Sequence, residues 1–552
     1  MFSEGVNHFS IRTVKLEQTR SFYEDVLGFK AGERPDFDFP GYWLYQNGHA
    51  LVHLVGVDPD DTQGLADYLG DLDADGLKGS GALDHLAFSV SDPEALLGAL
   101  SAHDVAYRER KVPDLDLFQI FVEDPNGVTL EFNCFGAGGA SPFEQADDPA
   151  LSAPSAPPRS APKPTREDML DRARSLNRAL RDRAAEAERL GRLPEATMAE
   201  LHDAGLWRVG QPARWGGGEF DYALMIEVAA ELGRACGSTG WVHINLASHY
   251  WMIAMWPEEA QRAVWGADPA AMAASSLIYP AGRARTVKGG FELSGRWSFC
   301  SGIHHSDWMI LGGMVAARNG AQPKPHLFLA PKSALKPIDT WDVLGLVGTG
   351  SIDVEGDAIF VPAHMALDAE AIKGGPTPGS AVNPSPLYRL PVWALLPHVI
   401  GAPIIGMAKG IYDVCVEATA ERVSTFNASK VAEHATTQLR IAEAGAAADA
   451  ARALLVDNCR EATRIAEAGE TPSSEAKYRW RRDGAYGTNL AGDSGAQLYR
   501  NAGGAGIFAT NPLQRRFRDM NAGLAHIGVS MAVNGVGHGR VALGLEPDNP
   551  IV

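Results

Sequence analysis

Histidine and glutamate residues recur at matching places in the first 135 residues. VNHFSI contains His8 and LDHLAFSV contains His85, so each segment begins one half of a weak internal repeat. His53 follows His8 by 45 residues, and Glu131 follows His85 by 46 residues. A duplicated module would therefore place four possible metal ligands at corresponding points.

The strand pattern around Glu131 supports this interpretation. In VTLEFN, alternation places Glu131 on the opposite face to Leu130 and Phe132, away from an apolar layer. The preceding residues 124–127, DPNG, are a hairpin turn signal and predict pairing with LFQIFVED. Two imidazoles and one carboxylate suit ferrous iron or another divalent ion that acts as a Lewis acid.

His53 has a second interpretation. Its neighbours on the same face of the segment ALVHLVG are Leu51 and Val55, which are both apolar. A histidine between such residues is also typical of a packed core, so the role of His53 as a ligand stays open.

A glycine-rich segment and an arginine cluster lie near the C-terminus. The segment AGGAGIF includes Gly503 and Gly504, which allow a ligand to approach the backbone closely. Arg515, Arg516 and Arg518 follow it, and guanidinium groups bind phosphate well. The alternatives are a tight turn and a solvated or ion-paired arginine face.

Composition limits what the whole chain can be. Its 552 residues have a mass of 59.0 kDa, which is too long for one small domain, and 45% are hydrophobic, which is enough for several cores. The net charge of -19 and the absence of a basic run argue against nucleic-acid binding. Five scattered cysteines without a CxxC pair fit a reducing cytoplasm.

No membrane segment is expected. The N-terminus, MFSEGVNHFS, lacks the pattern of a signal peptide. The long uncharged stretch from Pro391 to Met407 contains three prolines and is short for a membrane span. We expect it to be a buried helix.

The patterning predicts five regions: residues 1–135, rich in short strands; a Gly/Ala/Ser/Pro-rich linker at 136–165; a helical domain at 166–272; a β domain at 273–375; and a helical bundle at 376–552. Thr165 and Asp168 have the spacing of a helix N-cap. Pro194 and Gly205 bracket a later helix. The segment RARTVKGGFELSGRWSF carries a Gly-Gly hairpin signal.

The first region resembles the glyoxalase, or vicinal oxygen chelate, superfamily. The resemblance is carried by the HF, HL and LEF strands and by FYEDVLGF on the first helix. It implies a curved sheet that holds one divalent metal through His8, His85 and Glu131, with His53 as a fourth ligand. Some members of the superfamily bind ligands without a metal, so a non-catalytic binding module is the alternative.

Four segments of the second unit together resemble the acyl-CoA dehydrogenase fold, and specifically its flavin-dependent monooxygenase branch. They are RWGGGEFDYALMIEVAAELGRACGSTGW, GRWSFCSGIHHSDWMI, YRNAGGAGIF and NPLQRRFRDMNAGLAH. The fold class implied for the whole chain is multidomain α+β: a duplicated βαβββ vicinal oxygen chelate domain, a helical domain, a β domain and a C-terminal four-helix bundle. The resemblance further implies a homotetramer with flavin between sheet and bundle.

One departure favours hydroxylase over dehydrogenase. Many acyl-CoA dehydrogenases carry a glutamate base shortly after the arginine-rich segment, whereas this chain reads NAGLAHIGVS there. His526 occupies the position where the monooxygenase branch has a histidine near the flavin. A dehydrogenase-type flavoenzyme with its base elsewhere in the bundle is the alternative function.

The resemblance also implies roles for individual residues. Ser298, in the flavin-facing segment with Trp297, would form a hydrogen bond near flavin N5, and Ser301 is the second candidate. His249 would hold or deprotonate a phenol hydroxyl. Ser275 or Ser276 would be a further substrate contact.

The implied reaction hydroxylates a phenolic substrate through a C4a-hydroperoxyflavin formed from reduced FMN or FAD and O2. The sequence has no strand-linked GxGxxG for a nicotinamide, so we expect a separate NAD(P)H-flavin reductase as partner. Hydroxylases of this kind make catechols, and some vicinal oxygen chelate proteins cleave catechols with ferrous iron. The fusion therefore suggests sequential steps, since a linker raises the local concentration of one product at the next site.

Overall fold

The computed structural model divides into two compact units, Met1–Pro157 and Pro158–Val552. In the first unit it describes residues 9–32, 34, 40–46, 49–56, 86–89, 96–98, 100, 105–112, 117–124 and 128–135. In the second unit it describes residues 163–316, 322–424, 428–547, 549 and 551–552. His8 and His85 lie outside the described residues, as does most of the predicted linker.

Two four-stranded sheets of the same topology form the first unit. The first contains β1 (Phe9–Thr13), β2 (Lys30–Gly32), β3 (Gly41–Gln46) and β4 (His49–Gly56) in the order β1-β4-β3-β2, with helix α1 at Leu16–Ser21. The second contains β5 (Leu86–Ser89), β6 (Tyr107–Val112), β7 (Leu117–Glu123) and β8 (Thr129–Phe135) in the order β5-β8-β7-β6. The predicted duplication is confirmed.

Strand register places His53 and Glu131 at equivalent points of the repeat. Phe9 pairs with Val52 in the first sheet, and Leu86 pairs with Leu130 in the second, both in parallel strands. His53 and Glu131 each follow the second member of these pairs. The correspondence that the residue spacing predicted is therefore present in the hydrogen-bonded backbone.

The predicted hairpin between LFQIFVED and VTLEFN is also confirmed. Strands β7 and β8 pair antiparallel, with Phe121 opposite Glu131. The Asp124 side chain accepts a hydrogen bond from the Val128 amide at 2.9 Å, which closes the turn. Leu130 and Phe132 are buried in the core, as the alternation requires.

The second unit begins with six helices. They are α2 (Arg166–Ser175), α3 (Asn177–Leu190), α4 (Glu195–Asp203), α5 (Tyr222–Ala235), α6 (Gly237–Ile253) and α7 (Glu258–Trp265). Thr165 and Asp168 form the predicted capping box at the start of α2. Pro194 is the N-cap of α4, and Gly205, two residues past its end, has a positive φ of 71°.

An eight-stranded sheet follows. Its strands are β9 (Ala273–Ser276), β10 (Gly282–Val287), β11 (Gly290–Trp297), β12 (Trp308–Val315), β13 (Lys324–Pro331), β14 (Lys336–Ile338), β15 (Asp353–Pro362) and β16 (Ala366–Asp368). The order is β14-β15-β11-β10-β12-β13-β16, and β9 pairs with β12. The β10–β11 hairpin turns at Lys288 and Gly289, so the Gly-Gly signal is confirmed.

Five helices complete the chain: α8 (Val392–Ala420), α9 (Ala435–Glu467), α10 (Ser474–Asn501), α11 (Pro512–Leu524) and α12 (Met531–Ala542). Among the described residues, α8 is the one helix long and apolar enough to cross a membrane, and 72% of its most apolar window is buried. It packs against α5 and α10 as a core helix. The buried helix expected at Pro391 to Met407 is confirmed.

Candidate active site

Helix α6 carries a row of polar and aromatic side chains through the core of the second unit. Trp241, Asn245 and His249 are spaced four residues apart and therefore share one face of the helix. Trp241 and His249 are buried, and Asn245 is half-buried. This face is the framework around which the predicted site residues assemble.

His249 has a defined proton position. Its Nδ1 lies 2.6 Å from the carbonyl oxygen of Ala273, which can only accept a hydrogen bond, so Nδ1 carries the proton. Burial lowers the pKa of His249 to about 4. The ring is therefore neutral at ordinary pH, and Nε2 carries a lone pair that has no hydrogen-bond partner among the described residues.

The hydrogen bond to Ala273 places His249 at the beginning of β9, the strand that contains Ser275 and Ser276. Ser276 is buried, and its hydroxyl has no hydrogen-bond partner in the described part of the chain. An unpartnered buried hydroxyl is costly unless a ligand completes it. The structure therefore brings the predicted substrate-side histidine and serine strand together.

His526 lies next to the other end of this α6 face. Its ring centroid is 5.9 Å from that of Trp241, at an interplanar angle of 67°. Nδ1 accepts a hydrogen bond from the Gly528 amide at 2.9 Å, so the proton of the neutral ring is on Nε2. Burial lowers the pKa of His526 to about 4.

Two asparagines hold the turn that follows His526. The Asn534 side chain donates to the Gly528 carbonyl at 3.0 Å, and the Asn489 side chain donates to the Val529 carbonyl at 2.8 Å. Because Gly528 also supplies the amide bound by His526, these contacts fix the orientation of the imidazole. The sequence pattern gave no signal for either asparagine.

Trp241 connects this region to the loop after β11. Its indole nitrogen donates to the Ser301 hydroxyl at 3.1 Å, and Ser301 lies 2.8 Å from the Ser351 hydroxyl. Trp241 is not among the site residues predicted from the sequence. The four-residue spacing from Trp241 to His249 is the signal that could have identified it as part of the site.

The end of β11 and the segment after it contain the predicted cofactor-binding residues Trp297 and Ser298, which differ in burial. Ser298 is half-buried, and its hydroxyl has no protein partner within the residues described for the second unit. Trp297 is fully buried, and its indole donates to the Gly312 carbonyl at 2.7 Å inside the sheet. Strand alternation turns the Trp297 ring into the core, and the cofactor contact at this residue stays a prediction.

Phe299 lies between Ser298 and Ser301 in the sequence and has an unusual backbone conformation. Its φ is 63°, and 64% of its surface is exposed. The ring meets Trp341 edge to face at 6.2 Å. A strained backbone carrying an exposed aromatic ring costs about 1–3 kcal/mol, and such sites are concentrated where ligands bind.

The arginine cluster does not present free guanidinium groups. Arg515 and Arg518 both donate to the Glu188 carboxylate at 2.5 Å. Arg516 is buried and donates to the Arg234 carbonyl at 2.6 Å. The ion-paired alternative therefore describes these arginines in the single chain, and phosphate binding by them stays a prediction.

Gly503 and Gly504 lie at the surface in a short 3-10 helix, Gly503–Ile507. A side chain at Gly504 would meet nothing within 4 Å, so its backbone is open to a ligand. A groove of about 400 Å³ adjoins this segment and is lined by Val414, Ala418, Ala505, Phe508, Thr510, Asn511, Pro512 and Leu513. The predicted flavin contact at these glycines also stays a prediction.

The donor set fits the ring system of a flavin better than its phosphate. Ser298 has an available hydroxyl, and Ser276 has an unpartnered buried hydroxyl. Two neutral imidazoles accompany them: His249 lies on the α6 face, and His526 lies against Trp241 of that face. These groups can donate to and accept from a polar heteroaromatic ring without introducing charge. They could therefore hold the flavin ring and an aromatic substrate, with His249 as a base.

In the first unit, His53 is one of the four proposed metal ligands. Val52 and Leu54 on either side of it are buried, whereas His53 is half-buried and its ring stacks on Trp43 at 4.1 Å between centroids. His53 therefore packs against Trp43 at the edge of the core, and its role as a ligand stays a prediction. The other proposed ligands, His8 and His85, lie outside the described residues, and of Glu131 only the backbone is described.

Comparison with known proteins agrees with this architecture. Residues 5–132 match the Glyoxalase/Bleomycin resistance protein/Dioxygenase superfamily, residues 163–272 match the acyl-CoA dehydrogenase N-terminal domain, and residues 398–531 match the acyl-CoA dehydrogenase C-terminal domain. The glyoxalase and acyl-CoA dehydrogenase resemblances are both confirmed.

Two curated relatives and one solved structure are similar to the second unit. The "Flavin-dependent monooxygenase, oxygenase subunit HsaA" of Rhodococcus jostii is 37% identical over 65% of this chain and 93% of that protein. The "FADH(2)-dependent resorcinol hydroxylase, oxygenase component" of a Rhizobium species is 33% identical over 66% of this chain and 92% of that protein. A crystal structure of 3-HSA hydroxylase from a Rhodococcus species is 35% identical, with a TM-score of 0.67, over 70% of this chain and 99% of that one.

These matches settle the choice between the two flavoenzyme types. The matches cover nearly the whole length of both curated relatives. The N- and C-terminal family domains lie in the order that the sequence predicted. A dehydrogenase would need a base that the segment after the arginines lacks, and the neutral His526 stands there instead. The chain belongs to the family of flavin-dependent monooxygenase oxygenase subunits, with a glyoxalase-superfamily domain at its N-terminus.

Proposed function

We propose that residues 163–552 hydroxylate a small phenolic substrate. The reaction consumes the phenol, O2 and reduced flavin, and yields the catechol, oxidised flavin and water. Reduced FMN or FAD supplies the two electrons needed to activate oxygen. The observation that carries the proposal is His249, a buried neutral histidine. Its Nδ1 donates to the Ala273 carbonyl of the serine-bearing strand β9, and its Nε2 keeps a lone pair.

His249 is the base in this proposal. Nε2 accepts the proton of the phenol hydroxyl, which raises electron density at the ortho carbon where oxygen is added. The Ala273 carbonyl stabilises the protonated ring through Nδ1. Ser275 or Ser276 positions the substrate. The buried surroundings of His249 exclude water from the phenol ring.

His526 and the serines after β11 hold the flavin side of the site. With its proton on Nε2, His526 donates a hydrogen bond to an acceptor on the ring system. Ser298 is the first candidate for the hydrogen bond near N5, and Ser301 is the second. The neutral state of His526 suits this role because no charge has to be buried with the ring.

The reducing equivalents come from a separate partner. The sequence has no strand-linked GxGxxG for a nicotinamide, and the relatives are named as oxygenase subunits or components. We therefore assign the supply of reduced flavin to an NAD(P)H-flavin reductase. The proposed assembly is a cytoplasmic homotetramer. Binding measurements with reduced FMN and reduced FAD decide which flavin the protein uses.

The test is an anaerobic mixing experiment. The full chain is mixed with reduced FMN or FAD, O2 is admitted, and absorbance is followed before oxidised flavin forms. A persistent absorbing intermediate, which decays faster when a phenol is added, supports the oxygenase. Immediate reoxidation, with bleaching of bound oxidised flavin by acyl thioesters, would support the dehydrogenase alternative. Steady NADH oxidation by the chain alone would refute the separate reductase.

For the first unit we propose a divalent metal site, with Fe2+ as the first candidate, held by His8, His85, Glu131 and His53. The supporting observation is the duplicated register, which gives His53 and Glu131 equivalent places in the two sheets. Such a site could process the catechol made by the second unit. Stoichiometric iron or manganese in the purified protein supports catalysis, and no metal together with tight binding of the hydroxylated product supports a binding module.

A further inference from the structure

Three buried hydroxyl groups form a chain behind the proposed flavin site. Ser301 Oγ lies 2.8 Å from Ser351 Oγ, which lies 2.7 Å from Thr349 Oγ1. The chain ends at the Leu346 carbonyl, 2.8 Å from Thr349 Oγ1, and begins at Trp241 Nε1, 3.1 Å from Ser301 Oγ. It therefore runs from the α6 face to the loop before β15.

The two ends of the chain determine the direction of every proton in it. The Leu346 carbonyl can only accept, so Thr349 donates its single proton there. Ser351 must then donate to Thr349, and Ser301 must donate to Ser351. The Trp241 indole can only donate, so it occupies one lone pair of Ser301. Ser301 is left with one lone pair and no proton to offer.

The surroundings hold this arrangement in place. Ser301, Ser351 and Thr349 are 6%, 2% and 1% exposed. The backbone amide of Gly302 donates to the Thr349 carbonyl and that of Cys300 donates to the Ile352 carbonyl, both at 3.1 Å. The two loops are therefore fastened together on both sides of the hydroxyl chain. Reorienting Ser301 would break a buried hydrogen bond without a replacement.

We propose that Ser351 and Thr349 are positioning residues that make Ser301 an acceptor-only group toward the bound flavin. This inference rests on the proposed function and takes Ser301, the second candidate there, as a partner of N5. Flavin N5 is an acceptor in the oxidised ring and an N–H donor in the reduced ring. An acceptor-only hydroxyl therefore favours reduced flavin over oxidised flavin. An oxygenase that receives reduced flavin by diffusion needs this preference.

The experiment compares binding of the two redox states. Dissociation constants for oxidised flavin and, under anaerobic conditions, for reduced flavin are measured for the full-length wild type and for Ser351→Ala. The variant frees the Ser301 proton to donate to oxidised N5. The ratio of the oxidised to the reduced constant is expected to fall by about fivefold to tenfold. Tenfold corresponds to about 30 mV in the bound two-electron potential.

Ser306→Ala is the matched control. Ser306 is 1% exposed and donates to the Gly302 carbonyl at 3.1 Å, so it is a buried hydroxyl in the same loop but outside the chain. Its ratio is expected to stay within twofold of wild type. Ser351→Thr keeps a hydroxyl and should restore the ratio. Thr349→Val removes the end of the chain and gives a second test if Ser351→Ala does not fold.

The outcomes separate this inference from the proposed function. General damage to the site would weaken the binding of both oxidised and reduced flavin and leave the ratio of their dissociation constants unchanged. An unchanged ratio in Ser351→Ala and Thr349→Val, with wild-type flavin binding intact, would overturn the role of the hydroxyl chain alone. Failure of the wild type to bind either redox state would overturn the proposed function and this inference with it.

Discussion

Asp519 on α11 is a buried carboxylate whose replacement by asparagine should change how stability depends on pH. It is 4% exposed, and its Oδ1 accepts a hydrogen bond from the Leu346 amide at 2.6 Å. Leu346 has a positive φ of 56° and accepts the last proton of the hydroxyl chain. Asp519 therefore anchors the loop that supports the proposed flavin site.

Burial raises the pKa of Asp519 from 3.8 to about 6, against the opposing effects of the Leu346 amide and Arg518. Because folding favours the protonated form, the stabilisation is fully present below pH 4 and is lost as pH rises through about 6. A shift of roughly two units corresponds to about 3 kcal/mol at 1.36 kcal/mol per unit. Asp519→Asn stays neutral and keeps a side-chain oxygen for the Leu346 amide.

The free energy of unfolding of Asp519→Asn, relative to wild type, should therefore rise by about 2 kcal/mol between pH 4 and pH 7.5, which is most of the full effect. Urea titrations followed by tryptophan fluorescence report the second unit, since every tryptophan except Trp43 lies there. Asp493→Asn, at an exposed position on α10, is the matched control and should show no such trend. A pH-independent difference between Asp519→Asn and wild type would refute the argument from burial.

Three further predictions follow from the site. His249→Asn should lower kcat/KM for the phenol by about 10²–10⁴-fold. Because burial lowers the pKa of His249, the acid limb of the wild-type pH profile should lie near pH 4 rather than 6.5. An acid limb near pH 6.5 would contradict this role. Arg515→Ala should change the Kd for flavin less than threefold, because Glu188 already holds this guanidinium; a loss above tenfold would show phosphate binding instead. Glu131→Gln should lower the metal content measured by elemental analysis at least tenfold. The control Glu109→Gln, at an exposed site on β6, should keep the metal content of wild type. Equal metal contents in the two variants would argue against Glu131 as a ligand.

Local patterns were reliable where a residue's neighbours in the sequence also decide its structure. The Thr165 capping box, the β10–β11 hairpin and the β7–β8 pairing follow from turn and cap chemistry within a few residues. The duplicated sheets follow from the matching segments VNHFSI and LDHLAFSV and from the 45- and 46-residue spacings that begin at their histidines. The fold of the second unit was predicted from four ordered segments.

Side-chain partners across long sequence distances could not be read from these patterns. Arg515 and Arg518 both donate to Glu188, which lies more than 300 residues earlier, and no local pattern indicated this partner. The indole of Trp297 donates to the Gly312 carbonyl inside the sheet, a contact that the local pattern did not indicate. The contacts of Trp241 could not be predicted, because its partners Ser301 and His526 come from two other regions of the chain.

The sequence by itself determined the two architectures, the order of their elements and the residue types available for chemistry, because periodicity, caps and turns act over short distances. Only the tertiary structure decided which of those residues meet, which proton each histidine carries and how the hydroxyl chain from Trp241 to Leu346 is directed. These properties depend on burial and on hydrogen-bond partners brought from distant segments, since a buried polar group takes its state from whatever surrounds it.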